Sequence, residues 1–448
     1  MPSIKLDLKT KEYVPYQKLP YSNFFQYPPM KTVTEKECIS LEGKLALTEK
    51  ITREPLFTVF VFIPYCQSRC NSCAYFKSLF PSQGNPDRVL GDYVDCLGTQ
   101  MQNYATTVRF SSARCGAVYF GGGTASLLTS DQVSHVVTDL RKAFNLKPNT
   151  EITLEGNPHQ LTLEYLRDVK QGGITRVSIG YQSSDDDILR VIGCVHNAAE
   201  AVQAVNNAIK IGFETVNLDL LYRVPRQTYE QWERDLYKAI WLNPSGITIY
   251  EYVIHKESNA ERLIAKGILP QPVDKDTAHK WYIKARDLLQ QNGYVEHRKG
   301  SFAKLGHTQQ YGALSYDQGH EIIGLGAGAY SFINGYQFQA SDDPKVFKKQ
   351  IHSGLYVVAD RLSVQATKRN LMERFVIFSF FSSRLDRSQF RVRFGQDPLA
   401  VFSNELNRLK RYGLIKINQR EIKLIDLGIK WRNSVFYEFC ADEFKMLQ

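Results

Sequence analysis

The chain has 448 residues, 43% of them hydrophobic and 23% charged, with a formal net charge of +10; that length implies two or three domains and that composition an ordinary globular interior. No apolar run approaches the eighteen or so residues of a membrane span, Met1–Pro20 alternates lysine with polar residues and lacks a signal-peptide core, and eight cysteines in so long a chain make no disulfide framework. A cytoplasmic protein is expected, and a positive charge spread along the chain, with some concentration after Arg361, suits surface solvation or a carboxylate-bearing substrate better than nucleic acid.

Residues 1–55 read as an arm, and its aromatic and proline-rich stretch Tyr16–Lys31 is expected to pack on a neighbouring domain, with covering a site as the alternative. From Thr58 the pattern alternates. Strands are predicted over Thr58–Ile63, Ala117–Phe120, Glu151–Leu154, Arg176–Gly180, Thr215–Leu221 and Gly246–Val253. Helices are predicted over Arg88–Thr106, Ser130–Phe144, Leu163–Gln171, Ala198–Ile211 and Tyr229–Trp241, several ending at Gly or Asn-Pro stops. Such alternation makes a parallel sheet with crossover helices, here a partial barrel over residues 56–255. Residues 256–358 leave the repeat as a barrel extension and substrate-side region with a long helix, Lys275–Asn292, and the glycine-rich Gly324–Ser331. Residues 359–448 form a last unit: helices over Asn370–Phe381, Ser388–Phe394 and Asp397–Tyr412, then strands Leu414–Ile417 and Glu421–Ile425. This is the order of a winged helix, and capping the barrel is the favoured use of it over DNA binding.

The chemistry starts directly after the first strand. Cys66, Cys70 and Cys73 stand at C-x3-C-x2-C. Three thiolates on one loop hold three corners of a cubane iron–sulfur cluster and leave the fourth iron open, as a catalytic metal site does. Zinc would need a fourth ligand close by, and the next candidates are Cys96 and His135. Tyr119-Phe-Gly-Gly-Gly-Thr-Ala-Ser126 follows the second strand, and its glycines let the backbone approach a ligand and offer N–H groups to a carboxylate. Glu155 at the end of the third strand could accept ribose hydroxyls. Gln182 ends the fourth. Asp219 is an acid inside an apolar strand and needs a partner, either a ligand or Arg223 or Arg226. His196 reads as structural, Glu251 and His255 as facing a substrate side, and Cys194 as an inert buried thiol.

Taken together, IPYCQSRCNSC, YFGGGTASLL, EGNP, RVSIGYQS, the stretch Gly212–Thr228 and GLGAGAYS resemble the radical S-adenosylmethionine (SAM) superfamily. Within it they resemble the branch of oxygen-independent coproporphyrinogen III oxidase, with its heme chaperone, heme-degrading and class C methyltransferase and cyclopropanase relatives. The resemblance runs from about Phe57 to the C-terminus. It implies an α/β fold: a partial (β/α)6 barrel with an N-terminal arm and a winged-helix-like α+β cap. It implies a 4Fe-4S cluster on Cys66, Cys70 and Cys73, and SAM, one molecule or two, held by Tyr65, Gly122, Gly123, Thr124, Glu155, Gln182 and Asp219. Tyr330 would sit where its loop approaches the nucleoside. The implied activity is reductive cleavage of SAM to a 5′-deoxyadenosyl radical that oxidises, methylates or cyclopropanates a small molecule, a tetrapyrrole or a secondary metabolite. The electron would come from a flavodoxin or ferredoxin; the alternative is a non-catalytic heme carrier.

Four positions depart from the branch. Tyr75 stands where the oxidases have a further cysteine, Ser72 where an aromatic is usual, Cys194 where an arginine near SAM is usual, and Arg223 where a glycine is usual. Arg223 is assigned to compensate for the missing arginine. The heme chaperone starts close to its cysteine loop, whereas 65 residues precede Cys66; a specialised member is expected.

Overall fold

The computed structural model describes residues 26–34, 41–51, 55–71, 73, 78–80, 86–256 and 258–445. Ser72, Tyr75 and the first part of the Tyr16–Lys31 stretch lie outside the described residues.

Strands β1 (Leu56–Ile63), β2 (Arg114–Gly122), β3 (Glu151–Gly156), β4 (Arg176–Gln182), β5 (Thr215–Tyr222) and β6 (Gly246–Glu251) pair in that order, all parallel. Helices α1 (Pro86–Ala105), α2 (Ser130–Ala143), α3 (Leu163–Gln171), α5 (Ala198–Ile211) and α6 (Tyr229–Leu242) make the crossovers, with a short α4 (Asp186–Ile192) inserted after β4. Local chemistry sets their ends. Thr129, Asn197 and Thr228 close capping boxes, which satisfy amide groups at the helix start. Gly212 and Asn243 end α5 and α6 in the left-handed conformation. One face of each strand meets the helices in a common apolar core; the opposite face turns into the barrel.

The sheet does not stop at six strands. Glu321–Leu325 adds in parallel to β1, and Tyr330–Ile333, Tyr336–Gln339, Arg361–Ser363 and the arm strand Met30–Thr32 follow antiparallel. On the other side Ser301–Ala303 and Val295–Arg298 extend β6. Among the described residues it is one 13-stranded sheet. The segment Gln310–Asp317 plugs the barrel: Tyr311 packs against Phe60 and Tyr119.

The last unit has the expected winged order with two differences. Its sheet has three strands, because Arg384–Asp386 joins Ile415–Ile417 and Glu421–Leu424. The helix expected over Asp397–Tyr412 breaks at Phe402 (φ −120°, ψ 37°), giving Pro398–Val401 and Ser403–Arg411. The Phe402 ring is drawn inward against Phe390 and Phe439. The arm straps this unit to the sheet. The Tyr27 hydroxyl donates to the buried Glu373 carboxylate at 2.5 Å and accepts from the Ala441 amide, while Met30–Thr32 pairs with Arg361–Ser363.

Candidate functional site

The cysteine loop leaves β1 at the C-terminal rim of the barrel and is held at both ends. The Gly123 amide donates to the Ile63 carbonyl at 2.7 Å, and the Thr124 amide to the Tyr65 carbonyl at 2.9 Å. A Cβ on Gly123 would stand 2.5 Å from the Tyr65 oxygen, so only glycine lets the two loops meet. These amides therefore bind backbone carbonyls, not a carboxylate as expected. The resemblance assigns the GGGT turn to the amino end of SAM, and the engaged Gly123 and Thr124 amides are compatible with that. The Tyr65 side chain packs against Phe80 and Tyr93, and its backbone carbonyl meets the GGGT turn.

The Thr124 hydroxyl bonds Cys66. Burial pushes the Cys66 thiol up, and burial with the neighbouring Cys73 and Cys66 sulfurs pushes Cys70 up to about 11. All three cysteines are free thiols. Cys66 and Cys70 stay protonated near neutral pH until a metal displaces the protons. Among the described residues no three Cys, His, Asp or Glu converge on one ion. A cubane needs no such convergence, since each thiolate takes a different iron. Three soft donors on one loop, near enough to perturb one another, fit such a cluster.

Below the loop the barrel interior is polar, and register explains which side chains meet. Glu155 faces Ser178, Ser178 faces Asn217, and Asp219 faces Thr248 across neighbouring strands. The Tyr119 hydroxyl donates to Glu155 at 2.5 Å and the Gly122 amide donates to it as well. Gly121 makes the room: a Cβ there would lie 2.6 Å from the Glu155 carboxylate. Asp219 accepts from Ser178 at 3.0 Å and from Asn217 at 2.9 Å, with Thr248 as a further donor. Burial raises Glu155 to about 7 and Asp219 to about 6, against the pull of those donors and of Arg176. Arg176 is 5% exposed, and its Nε and Nη1 have no hydrogen-bond partner. Gln182 ends β4 at a bulge with φ 64°, strain of the kind found at functional rims.

Other assigned residues lie elsewhere. Arg223 is turned to the outer face, where its guanidinium meets the Val273 and Tyr252 carbonyls and Glu251. Arg226 donates to the Ile268 carbonyl. The partners of Asp219 are therefore neutral side chains, with neither of the two expected arginines among its hydrogen bonds. Glu251 pairs with Lys275 on that outer face. The Tyr330 hydroxyl bonds Gln26 of the arm, not any residue assigned to SAM. Its glycine loop instead supports β1: the Ala327 amide donates to Tyr93, whose hydroxyl donates to the Phe62 carbonyl. His196 is buried, with Nε2 at the Tyr181 carbonyl. Cys194 is close enough to Cys70 for the two sulfurs to interact. Tyr119, Ser178, Asn217 and Thr248 were missed by sequence reasoning; strand alternation alone carried the signal, since Tyr119 lies two residues from Gly121, Ser178 two from Arg176 and Asn217 two from Asp219.

Residues 60–236 match the family model described as the radical SAM superfamily. The heme chaperone HemW of Bacillus subtilis is 25% identical over 86% of this chain and 99% of its own. HemW of Haemophilus influenzae is 31% identical over 62% of this chain and 70% of its own. Among solved structures, the coproporphyrinogen III oxidase HemN from Escherichia coli superposes with a TM-score of 0.75 at 23% identity, covering 89% of this chain and 93% of that one. The chain belongs to the radical SAM superfamily, in its coproporphyrinogen III oxidase-like branch. Membership implies a 4Fe-4S cluster and SAM, and a HemN-like barrel followed by a helical and sheet region. No helix among the described residues is long and apolar enough to cross a membrane.

Proposed function

We propose that this radical SAM protein holds a 4Fe-4S cluster on Cys66, Cys70 and Cys73, binds SAM over the barrel mouth, and handles heme or a related tetrapyrrole, with carriage of heme as its first role. The carrying observation is the likeness to the heme chaperone HemW over 99% of that protein's length. In this reading Glu155 accepts the ribose hydroxyls, the GGGT carbonyls and Thr124 receive the amino end of SAM, and Gln182 and Asp219 border the pocket. In the catalytic reading that follows, a cluster on these cysteines would supply an electron to SAM.

Radical catalysis is the second reading: oxidation, methylation or cyclopropanation of a small molecule, with one or two SAM and an electron from a flavodoxin or ferredoxin. Two half-buried acids in the barrel beneath a three-thiol loop favour it, because acids drawn out of water cost stability unless a ligand uses them.

One anaerobic experiment separates the two. The reconstituted chain is titrated with heme by absorption, then given dithionite and SAM, with Cys66→Ala as control. Carriage predicts micromolar or tighter heme binding and no SAM consumed. Catalysis predicts 5′-deoxyadenosine only with intact cysteines, and S-adenosylhomocysteine beside it would mark methyl transfer. Absence of heme binding refutes carriage.

A further inference from the structure

Asn71 lies between the second and third cysteines, and every polar group it owns is engaged. Its amide donates to the Ile192 carbonyl at 2.8 Å and its Nδ2 to the Val191 carbonyl at 2.8 Å, both at the C-terminal end of α4. Its carbonyl accepts from the Ala260 amide at 2.8 Å, and its Oδ1 from Asn259 Nδ2 at 2.6 Å. Both of these residues open the helix Asn259–Ala265. Gly193, at φ 82°, lets α4 end directly against it: a Cβ there would stand 3.3 Å from the Asn71 amide nitrogen.

Beneath this clamp is a small core separate from the main one: Ile188, Ile192, Val224, Tyr252 and Ala260, with Cys194 packed against it. Its members come from α4, from the turn after β5 and from the chain leaving β6. A small satellite cluster set apart from the main core is the kind of unit that opens locally and cooperatively.

We propose that Asn71 is a positioning residue that couples the cysteine loop to the rim helix Asn259–Ala265, so that occupancy of the cluster and order of that rim rise and fall together. This rests on the reading that the loop holds the cluster. The coupling is reciprocal: what orders the rim also orders Cys70 and Cys73. A ligand settling on that rim would act on two cluster ligands through one side chain.

The test is amide hydrogen exchange over residues 258–265 and 189–194 in the full-length chain, metal-free and reconstituted, for wild type, Asn71→Ala and Asn259→Ala. Loading the cluster should slow exchange in wild type by about tenfold, in Asn71→Ala by under about twofold, and in Asn259→Ala by an intermediate factor. A purely structural asparagine would instead speed exchange equally in both metal states. Equal cluster-dependent protection in wild type and Asn71→Ala overturns the proposal. A second measurement needs no cluster: the alkylation rate of Cys70 and Cys73 in the metal-free chain. Asn259→Ala, which alters neither the loop nor a cysteine, should raise it about fivefold, and an unchanged rate also overturns the coupling. Failure of wild type to take up iron would refute the cluster reading, while the alkylation rates still decide the clamp.

Discussion

Replacing Glu155 with glutamine should stabilise the fold while weakening the site. The Glu155 carboxyl is raised from 4.5 to about 7 by burial, so the folded chain binds a proton there that the unfolded chain has already released between those values. For a raised acid, stability is fully present below the unfolded value and falls as pH rises toward the folded one. At 1.36 kcal/mol per pH unit, ionised Glu155 withdraws up to about 3 kcal/mol at pH 8 and under about 1 kcal/mol at pH 5. Glutamine keeps an acceptor for Tyr119 and carries no charge, so Glu155→Gln should melt about 3 °C above wild type at pH 8, for a chain of this length, and nearly with it at pH 5. The figure is an upper bound, because Glu155 is only half-buried and water screens part of its charge. The assay is thermal unfolding of the metal-free chain at both pH values, beside SAM affinity of the reconstituted one. Affinity should fall by roughly 10–100-fold, the worth of hydrogen bonds to a charged acceptor. A variant that melts at or below wild type at pH 8, or whose advantage is the same at pH 5, would refute the electrostatic reasoning.

Gly123→Ala would drive its Cβ to 2.5 Å from the Tyr65 oxygen and 2.9 Å from that of Ile63. Backbone atoms cannot rotate away, so a loss of about 1–3 kcal/mol and reduced iron per chain are expected, read by melting and iron assay. The Arg109–Glu321 pair (2.5 Å; side chains 8% and 14% exposed) ties the short helix Val108–Ser111, which follows α1, to the strand beside β1. Glu321→Gln leaves the guanidinium buried without its counter-charge and should cost about 3–5 kcal/mol in urea unfolding; a change below about 1 kcal/mol would show that the pair is solvated. Tyr27→Phe removes the hydroxyl between Glu373 and the Ala441 amide. It should cost about 1.5–3 kcal/mol and expose the C-terminal unit to limited proteolysis before the barrel.

The alternation of strands and helices was legible because period and caps agree at each boundary: α3 and α5 run over the expected residues. The cysteine loop and the acids at strand ends were legible because a motif fixes their place on a strand. What stayed hidden depends on register. Nothing near Asp219 in sequence says that Ser178 and Thr248 lie on either side of it, since those neighbours come from other strands. Arg223 was misjudged because a charge close to Asp219 in sequence looked like its partner. The chain turns at φ 67° and carries the guanidinium to the opposite face. Asn71 was invisible for the same reason: its partners lie 120 and 188 residues away. The third wing strand, Arg384–Asp386, has one buried apolar residue and so too little alternation to register.

The polar barrel interior bears on whether this chain only carries its ligand. A carrier that bound no SAM would be served by an apolar lining, and replacing buried ionic groups with well-packed apolar residues is often neutral or stabilising. Here Glu155 and Asp219 are both kept, at a cost that grows as pH rises through 6 and 7. Their donors do not offset burial, since both remain raised despite Tyr119, Ser178 and Asn217. Arg176 is likewise held with two N–H atoms unused. A ligand that presents hydroxyls or an ammonium to the ionised carboxylates would return that free energy on binding, and would bind less tightly below pH 6 as the acids take up protons. The pH profile of SAM affinity therefore speaks to the role of the barrel independently of turnover. A rise in affinity between pH 5.5 and 8 that disappears in Glu155→Gln means the interior is built around a bound cofactor. A flat profile in wild type means the acids serve the fold, and the case for radical chemistry loses its main structural support.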